Sequence, residues 1–114
     1  MTPPTGTFMA QVRKGMVQLP PPIARFCADE AWNFFRISCL DDERLEFSPV
    51  LPDDDLDDVD VGFHSSLSGD GKLWIPAELR QAVTLGEQSV MIRIEEGTLR
   101  MYMRKVFKTL GFGP

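Results

Sequence analysis

Apolar residues occupy every second position in several short stretches of the chain. The clearest case is the pair of stretches 90–95 and 99–104, which are separated by Glu96-Gly97. Alternation with a period of two is typical of a strand with one buried face, and an acidic residue followed by glycine favours a tight hairpin turn. The pattern therefore predicts an antiparallel hairpin near the end of the sequence.

The same patterns predict eight strands and two short helices, in the order strand, strand, helix, strand, strand, given twice. The strands are expected at residues 7–12, 16–19, 33–40, 45–48, 63–67, 73–75, 90–95 and 99–104, and the helices at residues 22–28 and 76–83. Prolines at 20–22 and 76 separate each second strand from its helix, because proline cannot donate to a sheet but is tolerated in a first helical turn. The predicted fold class is mainly β, with one short helix in each half.

The two halves also resemble each other residue by residue around their first turns. Gly15 aligns with Gly71, Leu19 with Ile75, Pro20 with Pro76 and Ile23 with Leu79, all at an offset of 56. A half of about 50 residues is marginal as a separate folding unit, so two related halves are expected to pack around a shared core. We predict a single domain of two pseudo-repeated units. The first repeat spans 7–48, an acidic linker 49–61, the second repeat 62–105 and a C-terminal tail 106–114.

The charge of the chain is unevenly distributed. The 114 residues have a net charge of −5, but residues 41–60 hold ten of the seventeen acids and a single base, so the remainder has a net charge of +4. A segment that combines prolines with six aspartates does not bury surface and is predicted to be a solvated linker. An EF-hand loop starting at Asp53 would place Asp58 where glycine is needed and His64 where glutamate is needed. Only weak cation association is expected there.

Catalytic and metal-binding patterns are missing from the sequence. Cys27 and Cys39 are not spaced as a metal-binding or redox pair, and Cys39 continues the alternation of Phe35 and Ile37, so we expect it to be buried. His64, the single histidine, has no second histidine or cysteine near it. Neither a nucleophile with its base nor a phosphate-binding loop is recognisable. We expect no enzymatic activity, no cofactor and no bound metal.

No apolar stretch approaches the roughly 20 residues that cross a bilayer. The first six residues also lack a positive region followed by an apolar one, as a secretory signal would have. We therefore expect a cytoplasmic protein with no membrane contact. Trp32 and Trp74 are expected to pack in the core rather than to stack on bases, and the methionines at 91, 101 and 103 to lie in the core or in an oligomer interface.

The order of elements resembles the SpoVT/AbrB swapped-hairpin superfamily. The likeness is carried by residues 71–80 (Gly-Lys-Leu-Trp-Ile-Pro-Ala-Glu-Leu-Arg), by Leu85-Gly86 and by residues 90–101. Two such units in one chain, and the stretch 63–67 that leads into a glycine turn, resemble the MraZ branch. The resemblance covers about 85 of the 114 residues. It implies a DNA-binding transcriptional regulator that often assembles further. The fold it implies is mainly β, with two pseudo-repeated swapped-hairpin units that form a mixed β-barrel with one short helix per repeat.

The turn motif of the MraZ branch is typically Asp-x-Lys-Gly-Arg. Residues 12–16 read Val-Arg-Lys-Gly-Met and match it at Lys14 and Gly15, whereas residues 68–72 read Ser-Gly-Asp-Gly-Lys and match it at Gly71. The arginine four residues after the proline is present in the second half as Arg80. In the first half Ala24 stands there, with Arg25 one place along.

Three groups of basic residues are candidates for contact with phosphate. The first lies in the hairpin turns, the second follows the short helices, and the third lies on the polar faces of the last hairpin. The candidate DNA-binding residues are Arg13, Lys14, Lys72, Arg80, Arg93, Arg100 and Arg104.

Two functions remain open from the sequence. The favoured one is a regulator that binds duplex DNA through basic hairpin turns and outer-strand arginines, as a homo-oligomer in some cases. The alternative is a protein-interaction module, antitoxin-like or scaffold-like, that has lost DNA binding and whose acidic linker binds a basic protein partner. The eroded turn motif and an isoelectric point near 4.7 favour the alternative.

Overall fold

The computed structural model describes residues 2–51 and 62–103, which contain eight strands and two short helices in the predicted order. The first five elements are β1 (Phe8–Arg13), β2 (Met16–Gln18), α1 (Pro21–Asp29), β3 (Phe34–Asp41) and β4 (Arg44–Pro49). The next five are β5 (Phe63–Ser66), β6 (Lys72–Trp74), α2 (Ala77–Ala82), β7 (Gln88–Glu95) and β8 (Thr98–Tyr102). Most of the predicted linker, from 52 to 61, and the predicted tail lie outside the described residues.

The eight strands form one antiparallel sheet in the order β5-β3-β4-β8-β7-β1-β2-β6. A bridge between Leu67 and Leu73 joins the two ends of this order, so the sheet is a nearly closed barrel. Hairpin partners such as β3 and β4 are neighbours, as expected. The other contacts are long-range, because β1 pairs with β7, β2 with β6, β3 with β5, and β4 with β8. The mainly β character of the fold is confirmed.

The inner face of the barrel holds a single apolar core. Apart from Met101, its largest fully buried side chains are aromatic or branched. Phe35 meets both Phe47 and Trp32 edge-to-face, at 6.4 Å between ring centroids in each case. Trp32, 9% exposed, also meets Phe26 of α1 at 5.1 Å. Edge-to-face packing of aromatic rings adds to the stabilisation that comes from burial alone. The predicted core roles of Trp32, Met101 and Met103 are confirmed.

Each helix begins directly after a proline and packs on the core by one face. Pro20 and Pro76 are the N-cap residues, with similar backbone angles (φ −59° and −55°). α1 buries Ile23, Phe26 and Cys27, and α2 buries Leu79. Among the described residues, neither helix has the length and apolar character needed to cross a membrane.

The two cysteines lie in different environments, and the expected burial of Cys39 is wrong. Cys27 is buried in α1, which raises the pKa of its thiol to about 12. Cys39 is exposed, and its Sγ lies 3.1 Å from the carbonyl oxygen of Asp41. Cys39 pairs with Leu45, so it is on the predicted face, but it lies at the end of the β3–β4 hairpin, where the register shifts. Alternation identifies the face of a strand and not the point where the core ends.

We predict that a thiol reagent will modify Cys39 in the native protein and leave Cys27 intact. At neutral pH a pKa of about 12 gives Cys27 about a thousandfold less thiolate than a pKa near 9 would, and burial also excludes the reagent. The measurement is the number of thiols that react before and after unfolding. Cys39→Ser should remove the fast reaction and Cys27→Ser should keep it. Similar rates for the two thiols would contradict this assignment.

Candidate functional site

The first hairpin turn consists of Lys14 and Gly15, both with positive φ angles (53° and 78°). Such angles fit the tight two-residue turn whose twist matches that of antiparallel strands. Gly15 is also packed from outside, because a Cβ built on it would lie 3.0 Å from Cζ of Arg80 and 3.0 Å from Cζ3 of Trp74. The position therefore requires glycine for two reasons, and the side chain of Lys14 projects from a turn with a defined orientation.

Arg80 holds this turn in place. Its Nε donates a hydrogen bond of 2.9 Å to the carbonyl oxygen of Ile75, and its guanidinium lies 5.2 Å from the ring centroid of Trp74. A guanidinium over an indole face is a favourable cation–π contact. The predicted candidate Arg80 is thus half-buried between the turn and Trp74 rather than extended into solvent.

The expectation that Trp74 packs in the core is wrong, since its side chain is 46% exposed. The pattern of β6 gives the reason: Leu73 and Ile75 are buried, so the residue between them faces outward. The alternation visible in the sequence is the signal that could have placed Trp74 on the outer face.

The second turn, from Ser68 to Lys72, is longer and closed by the Ser68 side chain. Backbone N–H of Lys72 donates to Ser68 Oγ at 3.0 Å, and backbone N–H of Ser68 donates to the Lys72 carbonyl at 2.9 Å. The Ser68 hydroxyl also donates to the Asp70 carboxylate, which, with the Lys72 ammonium 3.6 Å away, lowers the pKa of Asp70 below its ordinary value. Asp70 therefore compensates part of the charge of Lys72.

Three of the predicted basic residues come together on the outer face of the sheet. Arg13 and Lys14 from the first hairpin and Lys72 from the second line one depression of about 450 Å³. They converge because β2 pairs with β6, which places Gln18 directly opposite Lys72. Within the described residues, neither Arg13 nor Lys14 takes part in an ion pair. We call this depression the basic groove.

The rest of the basic groove is lined by residues that the charge analysis did not select: Gln11, Met16 and Gln18. The sequence does contain a signal for them. Val12 and Val17 are buried, so the adjacent residues Gln11 and Gln18 must point outward. Charge alone does not identify neutral polar residues of this kind.

The arginines of the last hairpin form ion pairs with carboxylates. Arg100 is 3.1 Å from Glu46, 2.9 Å from Glu95 and 3.4 Å from Glu96. Arg93, directly opposite Arg100 on β7, lies 3.1 Å from the other oxygen of Glu95. Arg100 is thus paired through all three of its side-chain nitrogens, whereas Arg93 is paired through Nε alone. Arg104, the remaining candidate of this group, lies outside the described residues.

His64 is stacked on Phe34, with 5.5 Å between ring centroids and 2° between the planes. Its Nε2 is buried and has no hydrogen-bond partner among the described residues. Residues 2–51 and 62–103 contain no group of three or more histidine, cysteine or acidic side chains that could hold a metal ion. His64 is thus packed against an aromatic ring and belongs to no such group.

A comparison with models of known protein families finds no match for this chain, and neither does a comparison with curated proteins. The geometry of the basic groove and the resemblance of the turn sequences therefore carry the functional argument.

We predict that Gly15→Ala will lower the free energy of unfolding by about 2–3 kcal/mol, because a positive φ angle is combined with contacts to Trp74 and Arg80. Gly97→Ala, with φ of +75° but nothing within 4 Å, should cost only about 1 kcal/mol. Gly69→Ala has neither constraint and is the neutral control. Urea denaturation measures all three. Equal losses for Gly15→Ala and Gly97→Ala would show that Arg80 and Trp74 do not restrain the turn.

We further predict that Tyr102, the single tyrosine, titrates above the ordinary value of about 10. Partial burial raises its pKa, and so does the carboxylate of Glu95, which accepts a hydrogen bond of 3.1 Å from the hydroxyl. Glu95→Gln should bring the pKa part of the way back, since the burial remains. Tyrosinate absorbance during an alkaline titration is the measurement. An unchanged pKa in Glu95→Gln would place Glu95 away from the hydroxyl in solution.

Proposed function

We propose that this protein is a DNA-binding transcriptional regulator of the AbrB/MraZ type, built from two swapped-hairpin repeats in one chain. It contacts the phosphates of duplex DNA through the basic groove. The single observation that carries the proposal is the convergence of Arg13, Lys14 and Lys72 on one depression. These residues belong to the two turns whose sequences resemble the family motif.

The register of the sheet supports the repeat. Ala10 of β1 pairs with Val90 of β7, and Ser65 of β5 pairs with Phe35 of β3. Adding 55 to the number of Ala10 gives Ser65, and subtracting 55 from the number of Val90 gives Phe35. An exchange of the two halves therefore maps one pairing onto the other.

Hydrogen bonds around the turns follow the same exchange, at the offset of 56 seen in the sequence. Backbone N–H of Leu19 donates to the carbonyl of Gly71 at 2.9 Å, and that of Ile75 donates to the carbonyl of Gly15 at 2.8 Å. Each half thus reaches into the turn of the other half. This reciprocity is what a pair of interleaved hairpins requires.

The electrostatics of the basic groove favour a polyanion. Arg13 and Lys14 are exposed, and Lys72 is only partly compensated by Asp70, so the groove has excess positive charge although the whole chain is acidic. Local charge, more than the net charge, determines where an anion binds. Three phosphate contacts would give a slope of about −3 for the logarithm of affinity against the logarithm of salt concentration.

The remaining basic candidates have other roles in this proposal. Arg80 supports the turn through Trp74 and Gly15, and Arg100 is bound to three glutamates. Phosphate contact is therefore assigned to the turn residues. Arg93, paired with Glu95, is secondary.

We predict that Lys14→Ala/Lys72→Ala will weaken binding to duplexes of any sequence and make the salt slope shallower by about two, since each lysine that contacts a phosphate contributes about one. The measurement is fluorescence anisotropy with two labelled duplexes, one from the region upstream of the protein's own gene and one of random sequence. Each is titrated at salt concentrations from low to physiological. Arg44→Ala is the charge control, because Arg44 pairs with Asp41 on a strand outside the groove.

An unchanged slope in the double variant would contradict the assignment of the phosphate contacts to these turns. A wild-type protein that binds no duplex even at low salt would contradict DNA binding altogether. In that case the alternative, a protein-interaction module, would become the leading function.

A further inference from the structure

A row of polar side chains crosses the outer face of the barrel beside the basic residues. Lys72 of β6 lies opposite Gln18 of β2, Gln18 lies opposite Gln11 of β1, and Gln11 lies opposite Ser89 of β7. Four adjacent strands thus contribute one residue each at the same level. Lys72, Gln18 and Gln11 of this row line the basic groove, and Ser89 lies beside Gln11 at its edge.

The two glutamines of this row are held by one hydrogen bond each. Nε2 of Gln18 donates to the carbonyl oxygen of Asp70 at 2.9 Å, and Nε2 of Gln11 lies 2.7 Å from Ser89 Oγ. A bond at the nitrogen restricts the plane of the amide. Among the described residues, the Oε1 atoms of both glutamines accept no hydrogen bond. Each side chain therefore offers an oriented acceptor and one remaining N–H donor to a ligand in the groove.

We infer that Gln18, with Gln11 beside it, reads adenine in the major groove of duplex DNA. The inference rests on the proposed function and names the residues that give it sequence selectivity. A glutamine amide matches the edge of adenine, whose N6 amino group donates and whose N7 accepts. Phosphate contacts fix register without carrying sequence information, so selectivity requires groups such as these amides between the basic residues.

The geometry of the hairpin fits this role. The major groove admits two paired strands. β1 and β2 are such a pair, flanked in the sheet by β7 and β6, and both glutamines lie on their outward face. Arg13 and Lys14 lie at the turn of this hairpin and Lys72 lies on the adjacent strand. Phosphate-binding groups are therefore present on two sides of the amides.

Gln18 has a competing structural role, because its bond to Asp70 supports the second turn. The test must separate base reading from support of the fold. A preferred duplex is first selected from a random-sequence library with the wild-type protein. Each A·T pair of that duplex is then replaced in turn by G·C, and the affinities for the original, the replaced and a random duplex are compared.

We expect Gln18→Met, which keeps the length of the side chain and removes its amide, to lower discrimination at one A·T pair by about tenfold. Its salt slope should equal that of the wild type, because no charge changes. Gln11→Met should lower discrimination at a neighbouring pair. Gln81→Met is the matched control, since Gln81 is exposed on α2 and does not line the basic groove.

The possible outcomes distinguish base reading by Gln18 from phosphate binding by the basic groove. Equal weakening of the selected and the random duplex in Gln18→Met would indicate structural support only, and would overturn the inference. Failure of the wild type to enrich any sequence, with salt-dependent binding intact, would also overturn it while leaving the proposed function standing. Absence of binding to any duplex at low salt would overturn the proposed function, and the inference with it.

Discussion

The pairing of β2 with β6 joins the two halves of the chain beside both hairpin turns. Each of these strands is three residues long, and each lies in a different half of the chain. A strand of this length has little stability by itself, because its backbone groups and its one buried side chain need partners. Val17 and Leu73, paired at the centre and almost completely buried, connect the two hairpins to the common core. The carbonyls of Gly15 and Gly71 then accept hydrogen bonds from the opposite half, and the two turns are brought to one side of the barrel.

The basic groove is a direct consequence of that pairing. The inner face is filled by apolar side chains, so the polar residues of β1, β2 and β6 have only the outer face available. Trp74 and Arg80 then restrict the first turn from outside, which limits the freedom of the Lys14 backbone. A cation on a restrained turn loses less conformational entropy when it binds an anion than one on a mobile loop. The same contacts that stabilise the fold therefore also prepare the proposed site.

Positive charge is used in two ways in this molecule. On β4, β7 and β8, Arg100 and its carboxylate partners form a compact network in which Tyr102 takes part through Glu95. Networks of this kind stabilise a sheet face, and they leave little uncompensated positive charge to attract an anion from outside. On β1 and in the first turn, Arg13 and Lys14 have no such partners among the described residues. The strand that carries an arginine therefore decides whether the arginine is paired with carboxylates, as Arg100 is, or exposed beside a turn, as Arg13 is.

The order of elements, the mainly β class and most of the core could be predicted from the sequence, because a period of two and the positions of glycine and proline are local properties. Phe35, Phe47 and Ile92 could be assigned to the interior in this way, and the turns at Lys14-Gly15 and Glu96-Gly97 could be placed closely. Which strands pair across the halves is visible only in the folded barrel. Lys72 therefore joins Arg13 and Lys14, and Arg100 joins Glu46, in a way that no local pattern predicts. The folded barrel also shows that Cys39 extends beyond the core and that Trp74 covers a turn. The pairings across the halves join residues that are 26 to 84 positions apart, and a local pattern carries no information about contacts at such distances.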